Sequence, residues 1–135
     1  MNISKTIHLL SLMLEGYKTG NFKSLFPVVA NNCQWESNWK TDCYSGPEEI
    51  EKYYVKKGAI LVMSRTFPSG YIVDLFGSED RIDGKGLYLL QSYNEEVYDL
   101  ILTIKVDSKC RISMINLCMK ELFSFRKYNA AIPQF

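Results

Sequence analysis

The stretch Asn31-Asn32-Cys33-Gln34-Trp35-Glu36-Ser37-Asn38-Trp39-Lys40-Thr41-Asp42-Cys43-Tyr44-Ser45-Gly46 decides how this chain is read. Its first part, residues 33–37, has the short apolar–polar alternation of a strand. Cys43-Tyr44-Ser45 resembles a second strand, and the polar Asn38–Asp42 run joins the two. Immediately after it, Ser45-Gly46-Pro47-Glu48-Glu49 starts a helix. A small cap residue precedes Pro near the first turn, and acids follow where the helix dipole favours negative charge. A small hairpin therefore opens directly into a helix, expected to run to about residue 65, with Ile50, Tyr53, Tyr54, Val55, Ala59 and Val62 among its apolar positions. Gly58 interrupts that helix and suits a close approach or a bend.

Working back towards the N-terminus, Ile3, Ile7, Leu10, Leu14 and Tyr17 recur at steps of three and four, the pattern of an amphipathic helix over 3–18. Gly20 punctuates its end. Asn21 then caps a short second helix expected over 21–30, with Phe22, Leu25, Phe26 and Val29 inward and an irregular turn at Pro27. Beyond Pro68 the period changes to two, predicting strands at 70–77, 86–94, 96–107 and 110–120. Asn94-Glu95 and Asp107-Ser108-Lys109 supply tight turns between them. The tail Glu121–Tyr128 is rich in aromatics and is expected to dock. Helices come first and a meander follows, which indicates α+β instead of a parallel sheet of alternating units. The expected architecture is three N-terminal helices packed on a strongly curved, mostly antiparallel sheet, a cone with an internal pocket. No linker divides residues 1–135, so one domain is expected.

Composition narrows the function classes. The 135 residues carry 16 basic and 15 acidic side chains, a net charge of +1. That balance argues against a general nucleic-acid or anionic-membrane binder, which needs a basic surplus. Lys52, Lys56, Lys57 and Arg65 form a local basic run that reads as a solvated helix face. No apolar run approaches the ~20 residues of a membrane span, and the N-terminus lacks the pattern of a signal peptide. The expected location is the cytoplasm. Four Cys without C-x-x-C spacing and a single His make a metal site improbable. Neither a metal nor a cofactor is expected. Reduced thiols are the default there, although Cys33 and Cys43 could meet across the hairpin.

Three short patterns occur in a suggestive order: Thr19-Gly20-Asn21-Phe22, Asn31-Asn32-Cys33-Gln34-Trp35-Glu36 and Tyr44-Ser45-Gly46-Pro47-Glu48-Glu49-Ile50. With Lys109–Ile115 as a last strand, the chain over about residues 5–120 resembles the nuclear-transport-factor-2-like superfamily, in its SnoaL-like and ketosteroid-isomerase-like branch. The resemblance implies the conical, cystatin-like fold, a pocket, and frequent dimerisation through the sheet. It does not imply one function, because this fold hosts many. Carried onto this sequence, the isomerase base falls on Ser37, which cannot move a proton as a carboxylate does. The oxyanion tyrosine falls on Met13, and the second acid near Leu102 and Thr103. All three positions are empty of the required chemistry.

Three carboxylates are candidates for relocated acids: Glu36, Asp74 and Asp99. Alternation turns Glu36 to the face opposite Ser37. Asp74 interrupts an apolar strand on the face of Ile72 and Phe76, and Asp99 another on the face of Val97 and Ile101. Each fits a pocket acid or an outward-facing, paired one. His8 reads as a structural residue, and Gly84-Lys85-Gly86 as a hairpin segment instead of a phosphate loop. Pocket-lining candidates are Trp35, Ser37, Trp39, Tyr53, Tyr54, Gln91, Tyr93 and Asn116. They combine aromatic walls with a few hydroxyl and amide groups, as small-molecule sites do. The reading that follows is a binding module for a small hydrophobic or aromatic molecule, in a homodimer. Its alternatives are an isomerase, cyclase or dehydratase using relocated acids, and a protein-interaction domain with a vestigial pocket.

Overall fold

A computed structural model of the chain describes residues 3–37, 42–76, 84–93, 96–119 and 124–127. Helix α1 spans Ile3–Thr19, strand β1 Val29–Ser37, strand β2 Cys43–Ser45 and helix α2 Gly46–Ser64. Strands β3 (Ser69–Phe76), β4 (Lys85–Tyr93), β5 (Glu96–Val106), β6 (Ile112–Met119) and β7 (Ser124–Lys127) follow. One seven-stranded sheet runs β2-β1-β6-β5-β4-β3-β7 and is not closed. Every pair is antiparallel except β1 with β6. The α+β class and the predominantly antiparallel sheet are as the sequence predicts.

The helix count is not. Two α-helices form among the described residues, and residues 21–30 contain no third. Asn21 does cap a turn, its side chain accepting the Lys23 N–H at 3.0 Å. The segment then tightens into one 3-10 turn at Phe26–Val28 with Pro27 inside it, where an α-helix would lose a backbone hydrogen bond. Val29 is already extended and pairs with Ile112 of β6, so the first strand starts four residues earlier than the predicted Cys33. The register slips between Val29 and Gln34.

Pairing sorts the side chains onto two faces, since the side-chain period of a strand is two. Leu87, Leu89 and Gln91 align across the ladder with Leu102, Leu100 and Tyr98. Leu102 and Ile104 align in turn with Leu117 and Ile115, and Ile115 and Leu117 with Trp35 and Ser37. This concave face carries the main core, against which α1 lies over β3, β4 and β5 while α2 lies over β1 and β2. The opposite face carries a smaller cluster of Val73, Leu75 and Ile101, with Tyr71 and Tyr88 packed against it.

In α1 the buried stripe is Thr6, Leu9, Leu10, Met13, Gly16 and Tyr17, with Ile7 and Leu14 half-buried beside it. In α2 it is Ile50, Tyr54, Gly58 and Leu61, whereas Val55, Ala59 and Val62, also among its apolar positions, face solvent. Ser45 is the α2 N-cap, but not through its hydroxyl. The Glu49 carboxylate accepts the Ser45 N–H at 2.9 Å, and the Ser45 hydroxyl donates to Gln34 Oε1 at 2.8 Å. The β5–β6 hairpin turns at Asp107, whose carboxylate accepts the N–H groups of Lys109 and Arg111, each at 2.9 Å. The Asn94-Glu95 turn and most of the aromatic tail lie outside the described residues. Of that tail, Ser124–Lys127 pairs with β3.

Candidate functional site

Where α1, α2 and β1 converge, aromatic rings fill the interior. The Tyr17 ring meets Phe22 edge-on at 5.1 Å and Tyr54 at 6.2 Å, and the Trp35 ring lies 4.5 Å from Tyr53. Trp35 Nε1 donates to the Tyr54 hydroxyl at 3.1 Å, which satisfies the buried indole N–H. The periodicities explain the assembly. Tyr17 ends the buried stripe of α1, Tyr53 and Tyr54 lie one turn after Ile50, and Trp35 is inward on β1 because Gln34 and Glu36 are outward.

Beside this cluster lies a small cavity of about 30 Å³, lined by Tyr17, Trp35, Ser37, Asp42, Tyr53, Lys57, Gln91 and Leu117. At roughly 10–15 Å³ per water by that measure, it suits two water molecules or a group of two or three heavy atoms. Asp42 is exposed and Lys57 half-buried, so this end of the cavity meets the surface. Tyr17 is fully enclosed, and its hydroxyl has no hydrogen-bond partner among the described residues. Burial first, and then the adjacent Tyr54 hydroxyl, raises the Tyr17 pKa. An unpaired buried hydroxyl costs about 1–3 kcal/mol. The Gln91 side chain, also buried, borders the cavity from the sheet side. Burial pushes the pKa values of Tyr17, Tyr53 and Tyr54 far up, with Asp42 adding to the rise at Tyr53, so these phenols stay neutral.

Four of the predicted lining residues meet here: Trp35, Ser37 and Gln91 from the sheet and Tyr53 from α2. Tyr54 supports the site through Trp35 and instead borders a shallower groove of about 230 Å³ with Gly20, Phe22, Phe26 and Val55. Trp39 lies outside the described residues. Tyr93 ends β4 opposite Glu96. Asn116 is a correction. It pairs with Glu36 and Thr103 on the convex face, where its Oδ1 accepts from the Cys118 thiol at 3.3 Å. Sequence reasoning missed Tyr17, Asp42, Lys57 and Leu117. Lys57 was legible, being one helical turn from Tyr53. Tyr17 has the spacing of a packing residue, and periodicity reports a side chain's direction but not whether its hydroxyl is paired.

None of the three candidate acids borders the cavity. Glu36 is exposed on the convex face, and Asp99 on the same face accepts a hydrogen bond from Tyr88. Asp74 does share the concave side, as alternation predicts, but at the Lys85 end of β4, where it forms an ion pair with Lys85. The Tyr88 hydroxyl is held well above the ordinary phenol range by burial and then by Asp99. Met13 and Leu102 are buried core residues, and Ser37 lines the cavity. Cys33 and Cys43 are free thiols. Burial pushes Cys33 up to about 12, while Cys43 is exposed. Among the described residues no cluster of His, Cys, Asp and Glu could hold a metal, and no helix is long and apolar enough to cross a membrane.

No family profile and no curated protein matches the sequence. The fold does have solved counterparts. A de novo designed protein with a curved β-sheet superposes with a TM-score of 0.62 at 11% identity, over 90% of this chain and 93% of the other. A SnoaL-like protein of unknown function from Burkholderia thailandensis E264 superposes with a TM-score of 0.62 at 6% identity, over 87% and 96% respectively. The chain therefore has a SnoaL-like, curved-sheet α+β fold.

Proposed function

We propose that this chain is a small-molecule-binding module without the isomerase-type carboxylate. The observation that carries the reading is the cavity between α1, α2 and β1. Two buried polar side chains border it, Tyr17 and Gln91, and the Tyr17 hydroxyl has no hydrogen-bond partner among the described residues. Native proteins satisfy most buried polar groups, and a bound ligand or water is one way of doing so. At about 30 Å³ the cavity holds one functional group of a ligand, whose body lies towards Ser37 and Asp42. Catalysis is disfavoured because Glu36, Asp74 and Asp99 all lie away from it. Thermal-shift titration against aromatic, steroid-like and polyketide-like compounds tests the reading. A ligand at a hundred times its Kd should add about 2.7 kcal/mol of stability. A panel in which no compound raises Tm removes it.

A second reading, a protein-interaction domain, is favoured by α2, which exposes Val55, Ile60, Val62 and Met63. The homodimer belongs with either reading, and Leu90 and Val97 are exposed on the convex face of the sheet. Sedimentation should then return twice the 15.6 kDa chain mass. A monomer at high micromolar concentration would exclude the dimer.

A further inference from the structure

The walls of the cavity also select among chemical groups, a step that rests on the binding reading above. Tyr17 is 1% exposed, and its O–H lacks an acceptor among the described residues. The neighbouring Tyr54 oxygen receives the Trp35 N–H, and Tyr17 borders the cavity beside it. Gln91 approaches from the sheet side, 5% exposed, and its amide can both donate and accept. Trp35 and Tyr53 close the space with ring faces.

Size sets the next limit. A cavity that takes a benzene ring has about 150 Å³, five times the space present, so a ring stays outside and a small polar group enters. Charge sets the last. Asp42 and Lys57 both border the cavity with opposite signs, and Lys57 already has another interaction. The desolvation that keeps Tyr17 and Tyr53 neutral also penalises an entering carboxylate, and Asp42 would repel it. A purely apolar group would leave the Tyr17 hydroxyl as unpaired as before and offer the Gln91 amide nothing to bond.

We infer that the cavity accepts a neutral carbonyl group, a carboxamide or ketone, whose oxygen takes the Tyr17 O–H while the Gln91 amide pairs with the same group. No bond is made or broken, so the role is recognition.

The test compares benzamide, benzoate and toluene, which share a ring and differ in the appended group. Calorimetric titration would be run on the wild-type chain, Tyr17→Phe and Gln91→Leu, with thermal unfolding recorded for each. Benzamide is expected to bind at least about tenfold more tightly than benzoate or toluene, the scale of one hydrogen bond to a buried partner. Tyr17→Phe should erase most of that preference while keeping or raising Tm, since it removes an unpaired hydroxyl and little else. Gln91→Leu tests the second contact independently, should the first variant fold poorly. Equal binding of benzamide and benzoate, or undiminished benzamide binding by both variants, overturns the carbonyl assignment and leaves the binding reading standing. Silence towards all three overturns the assignment as well, and silence across the wider compound panel overturns the binding reading itself.

Discussion

Gly58→Ala is expected to destabilise the protein by about 3 kcal/mol or more, the upper part of the overpacking range. At roughly 4 °C per kcal/mol for a domain of this size, Tm should fall by about 10 °C or more. Helix propensity alone predicts the opposite sign, because Ala in a helix interior is favoured over Gly by about 1 kcal/mol. The structure reverses that preference. A Cβ added at Gly58 would sit 2.0 Å from the Gly20 carbonyl oxygen and 3.0 Å from its carbon. Those are backbone atoms, so no side chain can swing away. Gly20 cannot retreat easily either. It sits at φ +78° just past the end of α1, and its N–H donates to the Gly16 oxygen at 2.7 Å. On its other side a Cβ at Gly20 would meet Val62 Cγ2 at 2.6 Å and the Gly58 oxygen at 2.9 Å. The two glycines therefore define how closely α1 and α2 approach, and with that the seating of Tyr17 against Tyr54. Thermal unfolding followed by circular dichroism checks this. An unchanged or raised Tm would show that the helices are not in backbone contact there.

That contact marks what the sequence could and could not convey. Gly58 was legible as an interruption suited to close packing, but its partner, nearly forty residues away, was not. The strands after Pro68 fall within about two residues of their predicted ranges, because alternation is a local signal that burial on one face enforces. Residues 21–30 failed for a local reason of another kind. Phe22, Leu25, Phe26 and Val29 have helical spacing, yet the parallel ladder with β6 captures Val29, and Pro27 tips the balance against α-helix. Ladder pairing between β1 and β6 joins segments about eighty residues apart, so no local pattern announces it. Asn116 and Gln91 show the same limit within the site. Each is a polar residue on a long strand, and only the register, Gln91 opposite Tyr98 and Asn116 opposite Thr103, assigns one to the cavity face and the other to the convex face. The absence of a base at Ser37 was legible from the motif position alone. The unpaired hydroxyl of Tyr17 was legible only once its neighbours were placed.

Trp35→Ala carries the other large expectation, a loss of about 4 kcal/mol and a Tm lower by roughly 15 °C. Trp35 is 2% exposed, packs its ring against Tyr44 and Tyr53 at 5.2 and 4.5 Å, and holds the Tyr54 hydroxyl through its N–H. Truncation therefore opens a void beside an existing cavity and removes the donor to a buried phenol. Two milder variants separate those contributions. Trp35→Phe keeps an aromatic ring but deletes the N–H, so it should cost less than the alanine variant while still leaving the Tyr54 oxygen without its donor. Tyr54→Phe strands the indole N–H instead and should cost about 1–3 kcal/mol, the penalty for an unpaired buried donor. Tyr17→Phe, one ring away, should cost nothing, because its hydroxyl has no partner to lose among the described residues. The order Trp35→Ala, then Tyr54→Phe, then Tyr17→Phe is the specific expectation for urea unfolding. If Tyr17→Phe proved as damaging as Tyr54→Phe, the Tyr17 hydroxyl would have to be paired in the folded protein, and its availability to a ligand would fall with it.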